Sequence, residues 1–167
     1  MLKSVAPYFM LALLTMIGIE IGAGAYEAPA VVPLWAADPQ AYYRFFAANP
    51  AFAMHAGQLW WIFITPLTTL IALLAALLAG QLPSPRSRLV RIAGVMIFLM
   101  GMGTFGWFVP TIIRLQTAAV LEMGADQAKR TAALWASLNW IRTAWFCAAF
   151  AIVLRAVYAG DRKASLR

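Results

Sequence analysis

Cysteine, histidine and charge are all scarce in this chain. The single cysteine, Cys147, lies within an apolar run, which excludes an intrachain disulfide framework and any cysteine-rich metal or iron–sulfur site. His55 is the only histidine, so bis-histidine haem ligation is impossible within one chain and a structural zinc site lacks ligands. Only 11% of the residues are charged, and none lies between Ala56 and Leu82 or between Ile92 and Ile113. Phosphate-cradling loops, dinucleotide fingerprints and nucleophile elbows are also missing.

What is abundant is apolar. Of 167 residues, 63% are hydrophobic, and the mean hydropathy is +0.77, more than a soluble domain of this length hides in one core. Four apolar stretches, about Pro7 to Leu34, Ala53 to Leu82, Leu89 to Ile113 and Thr131 to Tyr158, each exceed the ~20 residues that cross a bilayer's hydrocarbon. The expectation is an all-α, four-transmembrane-helix bundle forming a single membrane domain. Lys3, an apolar run and Ala23-Gly24-Ala25 imitate a secretory signal, but Glu20 sits just ahead of the supposed cleavage point, so the first stretch is read as a retained helix.

A formal charge of +7 would suggest nucleic acid in a soluble protein. Here the basic residues fall mostly at helix ends, which points to membrane anchoring and to no nucleic-acid partner. Lys3, Arg86, Arg88, Arg91, Arg155, Arg162, Lys163 and Arg167 lie on one side, against Arg44, Arg114, Lys129 and Arg130 on the other. The positive-inside rule then predicts cytoplasmic termini in a multi-pass protein of a bacterial-type inner (plasma) membrane. Asp38-Pro39 followed by Gln40 to Ala48, and closed by Asn49-Pro50, predicts a capped interfacial helix with Tyr42, Tyr43, Phe45 and Phe46 at the headgroups. A faint repeat lays Gly22–Pro29 over Gly103–Pro110 and Leu59–Ile62 over Leu138–Ile141, as in two parallel helical hairpins.

Charges inside hydrocarbon are the informative ones, because each costs ~2.5–3.5 kcal/mol at a helix centre. Glu20 and Arg142 reach similar depths on the first and last helices, and Glu27 lies two turns beyond Glu20 on the same face. With His55 and Gln58 on the second helix and Asn139 on the last, they are expected to line one cavity opening to the outer face. Trp61, Trp135 and Trp140, with Trp60 and Trp107 at neighbouring depths, would supply flat walls for an aromatic ligand. The plainer alternatives are a Glu20–Arg142 ion pair locking two helices, an interfacial His55, and tryptophans serving as bilayer anchors. Gly18, Gly22, Gly24, Gly101, Gly103 and Gly106 are read as points of close helix approach. One metal ion could not bind both Glu20 and Glu27, whose spacing separates them by about 10 Å.

The run Gly22-Ala23-Gly24-Ala25-Tyr26-Glu27-Ala28-Pro29 with Val31-Val32-Pro33-Leu34-Trp35, together with Trp135 and Asn139-Trp140-Ile141-Arg142-Thr143, resembles the anthrone oxygenase-like family of small four-helix membrane proteins. The likeness spans the chain in length and layout, and two short motifs carry it. It implies cofactor-independent oxidation of a phenolic or polycyclic aromatic substrate by dioxygen. Under that implication Glu27, Glu20 or His55 removes a proton, and Arg142 and Asn139 hold the developing enolate oxygen. Gln58, Trp61, Trp135 and Trp140 would bind the substrate. Two rival readings remain: a non-catalytic membrane module whose polar column is a structural network and which assembles with itself or a larger complex through its glycine faces, and a lipophile-binding or transport protein using the same cavity.

Overall fold

The computed structural model describes residues 4–49 and 56–159, and of residues 56–60 the backbone alone. Four helical rods, Ala6–Ala30, Trp61–Gln81, Arg86–Gln116 and Ala125–Tyr158, are long and apolar enough to cross a membrane. The architecture is the all-α four-helix bundle the sequence predicts. An even number of crossings returns both termini to one end.

Prolines set where the first rod stops. Helix α1 runs Ala6–Ala30, and α2 restarts at Val32–Ala36. Pro33 has no N–H to give the Pro29 carbonyl and its ring would collide with it, so the expected single stretch to Leu34 breaks at Val31. Helix α3, Pro39–Ala48, is the predicted interfacial helix: Asp38 Oδ1 accepts from the Ala41 N–H at 3.0 Å, and Pro39 occupies the first turn. Asn49 closes it by donating its Nδ2 to the Phe45 carbonyl at 2.8 Å.

Helix α4 covers Ala56–Leu78 and tightens into a 3₁₀ turn at Ala79–Gln81. Helix α5 (Arg86–Gly103), a π-helical turn (Thr104–Phe108) and α6 (Val109–Gln116) form one rod. The wide turn immediately precedes Pro110, whose missing N–H and bulky ring disturb an ordinary α ladder at this point. A 3₁₀ turn at Ala118–Glu122 leads into α7, Ala125–Tyr158, which at 34 residues is about 51 Å long. The rods α5 and α7 begin earlier than Leu89 and Thr131, because apolar content ends at a charged residue and backbone hydrogen bonding does not.

The rods close a ring in which α4 packs on α1 and α5, and α7 packs on α5 and α1. Two apolar clusters fill it. At the end bearing the termini, Leu13, Ile17, Ala72, Ala75, Ala93, Ile97, Ala149 and Val153 pack together. At the other end, Val32, Trp35, Phe108, Leu115, Val120, Ala128 and Trp135 do so. Between them lies a buried polar layer of Glu20, Thr65, Thr68, Thr69, Thr104, Asn139 and Arg142.

The glycines divide in role. A Cβ on Gly101 would collide with Thr69, one on Gly94 would lie 2.7 Å from the Ala72 carbonyl oxygen, and one on Gly24 would meet the Thr143 hydroxyl at 3.2 Å. These let rods approach closely. Gly22, Gly103 and Gly106 face open space, so the close-approach expectation fails for them, and Gly94 is a contact the sequence reading missed.

Candidate functional site

A cavity of about 530 Å³, within the range of small-molecule sites, lies above the polar layer at the end away from the termini. Its floor carries Glu27 from α1, Thr65 from α4, Thr104 from the π turn and Arg142 from α7. Its walls are Trp61, Phe105, Phe108, Val109, Ile112 and Trp135, and Tyr42, Tyr43 and Phe46 of α3 cover it. Periodicity explains the α7 contribution: Trp135, Asn139, Arg142 and Phe146 recur on one helical face, and all four are buried.

Indole contacts hold the walls upright. Trp135 donates its Nε1 to the Phe108 carbonyl at 3.0 Å, and its ring meets those of Trp35 and Phe108 edge-on at 5.2 and 5.8 Å. Trp61 donates its Nε1 to Glu27 Oε1 at 3.0 Å, which fixes the carboxylate. The Arg142 guanidinium lies 5.0 Å from the centre of the Trp61 ring and 5.4 Å from that of Phe108, a cation between two π faces. Above them, burial pushes the Tyr42 phenol higher than its ordinary 10.0, so it stays neutral as part of the cover.

Several polar atoms in this region are left over. Threonine hydroxyls inside a span ordinarily bond back to their own helix: Thr68 donates to the Ile64 carbonyl at 2.8 Å, Thr69 to Thr65 at 2.8 Å and Thr104 to Met100 at 2.9 Å. Thr65 Oγ1 does not and lies instead beside the Glu20 carboxylate, while among the described residues Glu27 Oε2 has no hydrogen-bond partner. Both belong to residues on the cavity floor, beside a guanidinium with no hydrogen bond to a described residue. The floor thus presents an acceptor, a hydroxyl and a cation to whatever occupies the space.

The structure redistributes the sequence candidates. Glu27, Trp61, Trp135 and Arg142 line the cavity. Glu20 is buried deeper, near the Thr65 and Thr68 hydroxyls and within electrostatic reach of Arg142, and it is not a lining residue. Among the described residues no direct ion pair joins Arg142 to Glu20: the guanidinium is taken by the two aromatic faces instead. Asn139 is wholly buried, neither amide atom has a hydrogen-bond partner among the described residues, and it too stands off the lining. Trp140 does not wall the cavity. It is 53% exposed, because five residues beyond Trp135 is about 140° around the helix. His55 lies outside the described residues, as does the side chain of Gln58.

Sequence reasoning named only Trp107 from the third rod, which is not a lining residue, and placed nothing of α3 at the cavity. Thr104, Phe105, Phe108, Val109, Ile112 and Gln116 form one side of the cavity, so it is not enclosed by the first, second and fourth spans alone. The signal was the Gly103–Pro110 run, from which Trp107 was chosen as a wall where Phe105, Phe108 and Val109 are the lining residues. Of the α3 aromatics placed at the headgroups, Tyr42, Tyr43 and Phe46 turn into the cavity, and Phe45 stays exposed. Among the described residues no three His, Cys, Asp or Glu side chains cluster as metal ligands. No protein-family model, curated protein or solved structure significantly matches this chain.

Proposed function

We propose that this protein binds a flat, lipophilic phenol or polycyclic aromatic in the cavity and oxidises it with dioxygen. The observation that carries the proposal is the pairing of aromatic walls with a floor of Glu27 Oε2, which has no hydrogen-bond partner among the described residues, the Thr65 hydroxyl and the Arg142 guanidinium. Glu27 Oε2 takes a proton from a CH₂ held between aryl rings and conjugated to a carbonyl. Arg142 holds the resulting enolate oxygen by charge-assisted hydrogen bonds. The electron-rich carbon adds dioxygen and, once reprotonated, becomes a hydroperoxide. Loss of the second C–H proton with O–O cleavage leaves a ketone and one water, so CH₂ plus O₂ becomes C=O plus H₂O.

Anthrone is the test substrate. Wild-type protein in lipid nanodiscs should consume oxygen and form anthraquinone, and Glu27→Gln should lower the rate by about 10²–10⁴, the usual contribution of a positioned base. A wild-type rate equal to that of empty nanodiscs, or an unaffected Glu27→Gln, overturns the reaction. Quenching of tryptophan fluorescence by anthrone without turnover would favour the lipophile-binding alternative.

For topology, the reading is a bacterial-type inner membrane with cytoplasmic termini and the cavity at the outer face, supported by the eight-to-four basic asymmetry. A reporter fused after Arg167 should be active in its cytoplasmic form only. A cysteine at Asn49 should react with an impermeant reagent from outside; labelling only after lysis reverses the orientation.

A further inference from the structure

Among the described residues the cavity is covered on one side and uncovered on another. Helix α3 lies across its membrane-surface end, contributing Tyr42, Tyr43 and Phe46. It is fastened there by Gln40, whose Nε2 donates to the Val120 carbonyl at 3.2 Å and the Met123 carbonyl at 2.8 Å. The flank between α4 and the third rod is different. At and below the polar layer the two meet closely, Gly94 against the Ala72 carbonyl and Gly101 against the Thr69 side chain, whereas among the described residues α4 has no comparable packing on α6 above it. Two devices part them: Pro66 interrupts the α4 ladder, and the π turn widens the third rod at Thr104–Phe108.

The rims of that flank belong to two surfaces at once. Ile62 on α4, and Phe105 and Ile113 on the third rod, line the cavity while being 60%, 40% and 55% exposed. All three lie within membrane-crossing rods, so the surface they expose faces acyl chains. From Phe105 to Ile113 the slot is about 12 Å tall, enough for a polycyclic ring system edge-on.

We infer that the cavity is loaded sideways, through a slot between α4 and the π turn and α6, by a neutral lipophile already dissolved in the bilayer. The inference rests on the reading of this cavity as a ligand site and narrows its substrate class: the ligand partitions into hydrocarbon first and then lies on the floor with its oxygen at Arg142 and its CH₂ at Glu27. Water-borne, charged aromatics are then poor ligands, because their route is covered by α3 and a charged group meets hydrocarbon at the slot.

Photolabelling of the nanodisc-embedded protein tests this without requiring turnover. Benzophenone, which partitions into the bilayer, should give adducts at the cavity residues Trp135 and Phe108, and a benzophenone sulfonate added from water should not. Ile62→Trp with Ile113→Trp, which thickens both rims, should lower the benzophenone adducts at Trp135 by about tenfold and leave those at lipid-facing Leu70 unchanged. Equal labelling of Trp135 by the sulfonate, or its labelling by neither probe, overturns the inference, and these outcomes need no variant to fold. Unchanged adducts in the thick-rimmed variant overturn it too. A protein that labels as expected yet leaves anthrone unoxidised keeps the lateral route and loses the proposed reaction.

Discussion

The two ends of the bundle solve the problem of life in hydrocarbon in opposite ways. At the end bearing the termini, rods meet through Gly94, Ala72, Ala76 and Gly101, and small side chains bring backbones into contact. Arg86 seals that end by donating its Nε to the Ala156 carbonyl at 3.0 Å and its Nη2 to the Val157 carbonyl at 2.7 Å, two acceptors at the close of α7. At the other end large aromatics lean on one another edge-on, prolines and a π turn part the rods, and among the described residues Glu27 Oε2 keeps no hydrogen-bond partner. In a bilayer the packing of small residues supplies stability that the hydrophobic effect does not. Buried polar groups without partners cost stability, and the proposed function accounts for their place beside a cavity as ligand contacts.

The comparison is broken most directly by filling the tight end. Gly94→Leu should destabilise the protein by about 3 kcal/mol or more, since its Cβ alone would press on the Ala72 carbonyl and the Ala76 side chain. Thermal unfolding in detergent reads this; a variant as stable as the wild type would mean that α4 and α5 are not locked there.

Arg142→Met comes next, at about 3 kcal/mol, because Glu20 and Glu27 lose the cation that each feels. Adding Glu20→Gln should recover part of the loss, so the double-mutant cycle is non-additive even though the two side chains make no direct ion pair. Strictly additive losses would separate Glu20 from the cation.

Thr65→Val sharpens the contrast. It removes, at nearly constant shape, a hydroxyl that lies beside the Glu20 carboxylate, so its cost to stability should be no more than about 1 kcal/mol. The same change should weaken anthrone-induced quenching. A large loss of stability would make Thr65 a structural residue and take it out of the site.

The smallest effect is expected of Trp140→Phe, which should alter neither anthrone quenching nor stability beyond about 0.5 kcal/mol, because that ring faces lipid. Trp61→Phe, by contrast, removes the donor to Glu27 and one face from Arg142, and should diminish the quenching. Equal responses from the two tryptophans would erase the distinction between lipid-facing and cavity-facing rings.

How legible the candidate site is in the sequence depends on the length scale of the feature. Spacing along α7 places Trp135 and Arg142 on one face, and cost in hydrocarbon singles out Glu27 and Arg142 as residues that must turn inward. The same cost argument pairs Glu20 with Arg142, and there it overreaches. It counts charges and depths but does not see that Trp61 and Phe108 take the guanidinium first. Trp140 misleads for a related reason: aromatic content at a given depth says nothing about azimuth.

What the sequence by itself determined is the solvent and the framework. Four long apolar stretches demand a bilayer, and a bilayer demands helices, because every backbone N–H and C=O must be satisfied within its own segment. Asp38-Pro39 and Pro33 likewise fix a helix start and a helix end by local chemistry alone. Only the tertiary structure decided which faces meet: that Gly94 and not Gly103 is a contact, that the third rod and α3 enclose the cavity, and that α4 and α6 stand apart above Thr65. The reason is that in a chain apolar on nearly every face, lipid and protein interior are equivalent solvents for a side chain. Hydrophobic periodicity then carries almost no information about orientation, and close packing and the pairing of a few polar atoms settle it instead.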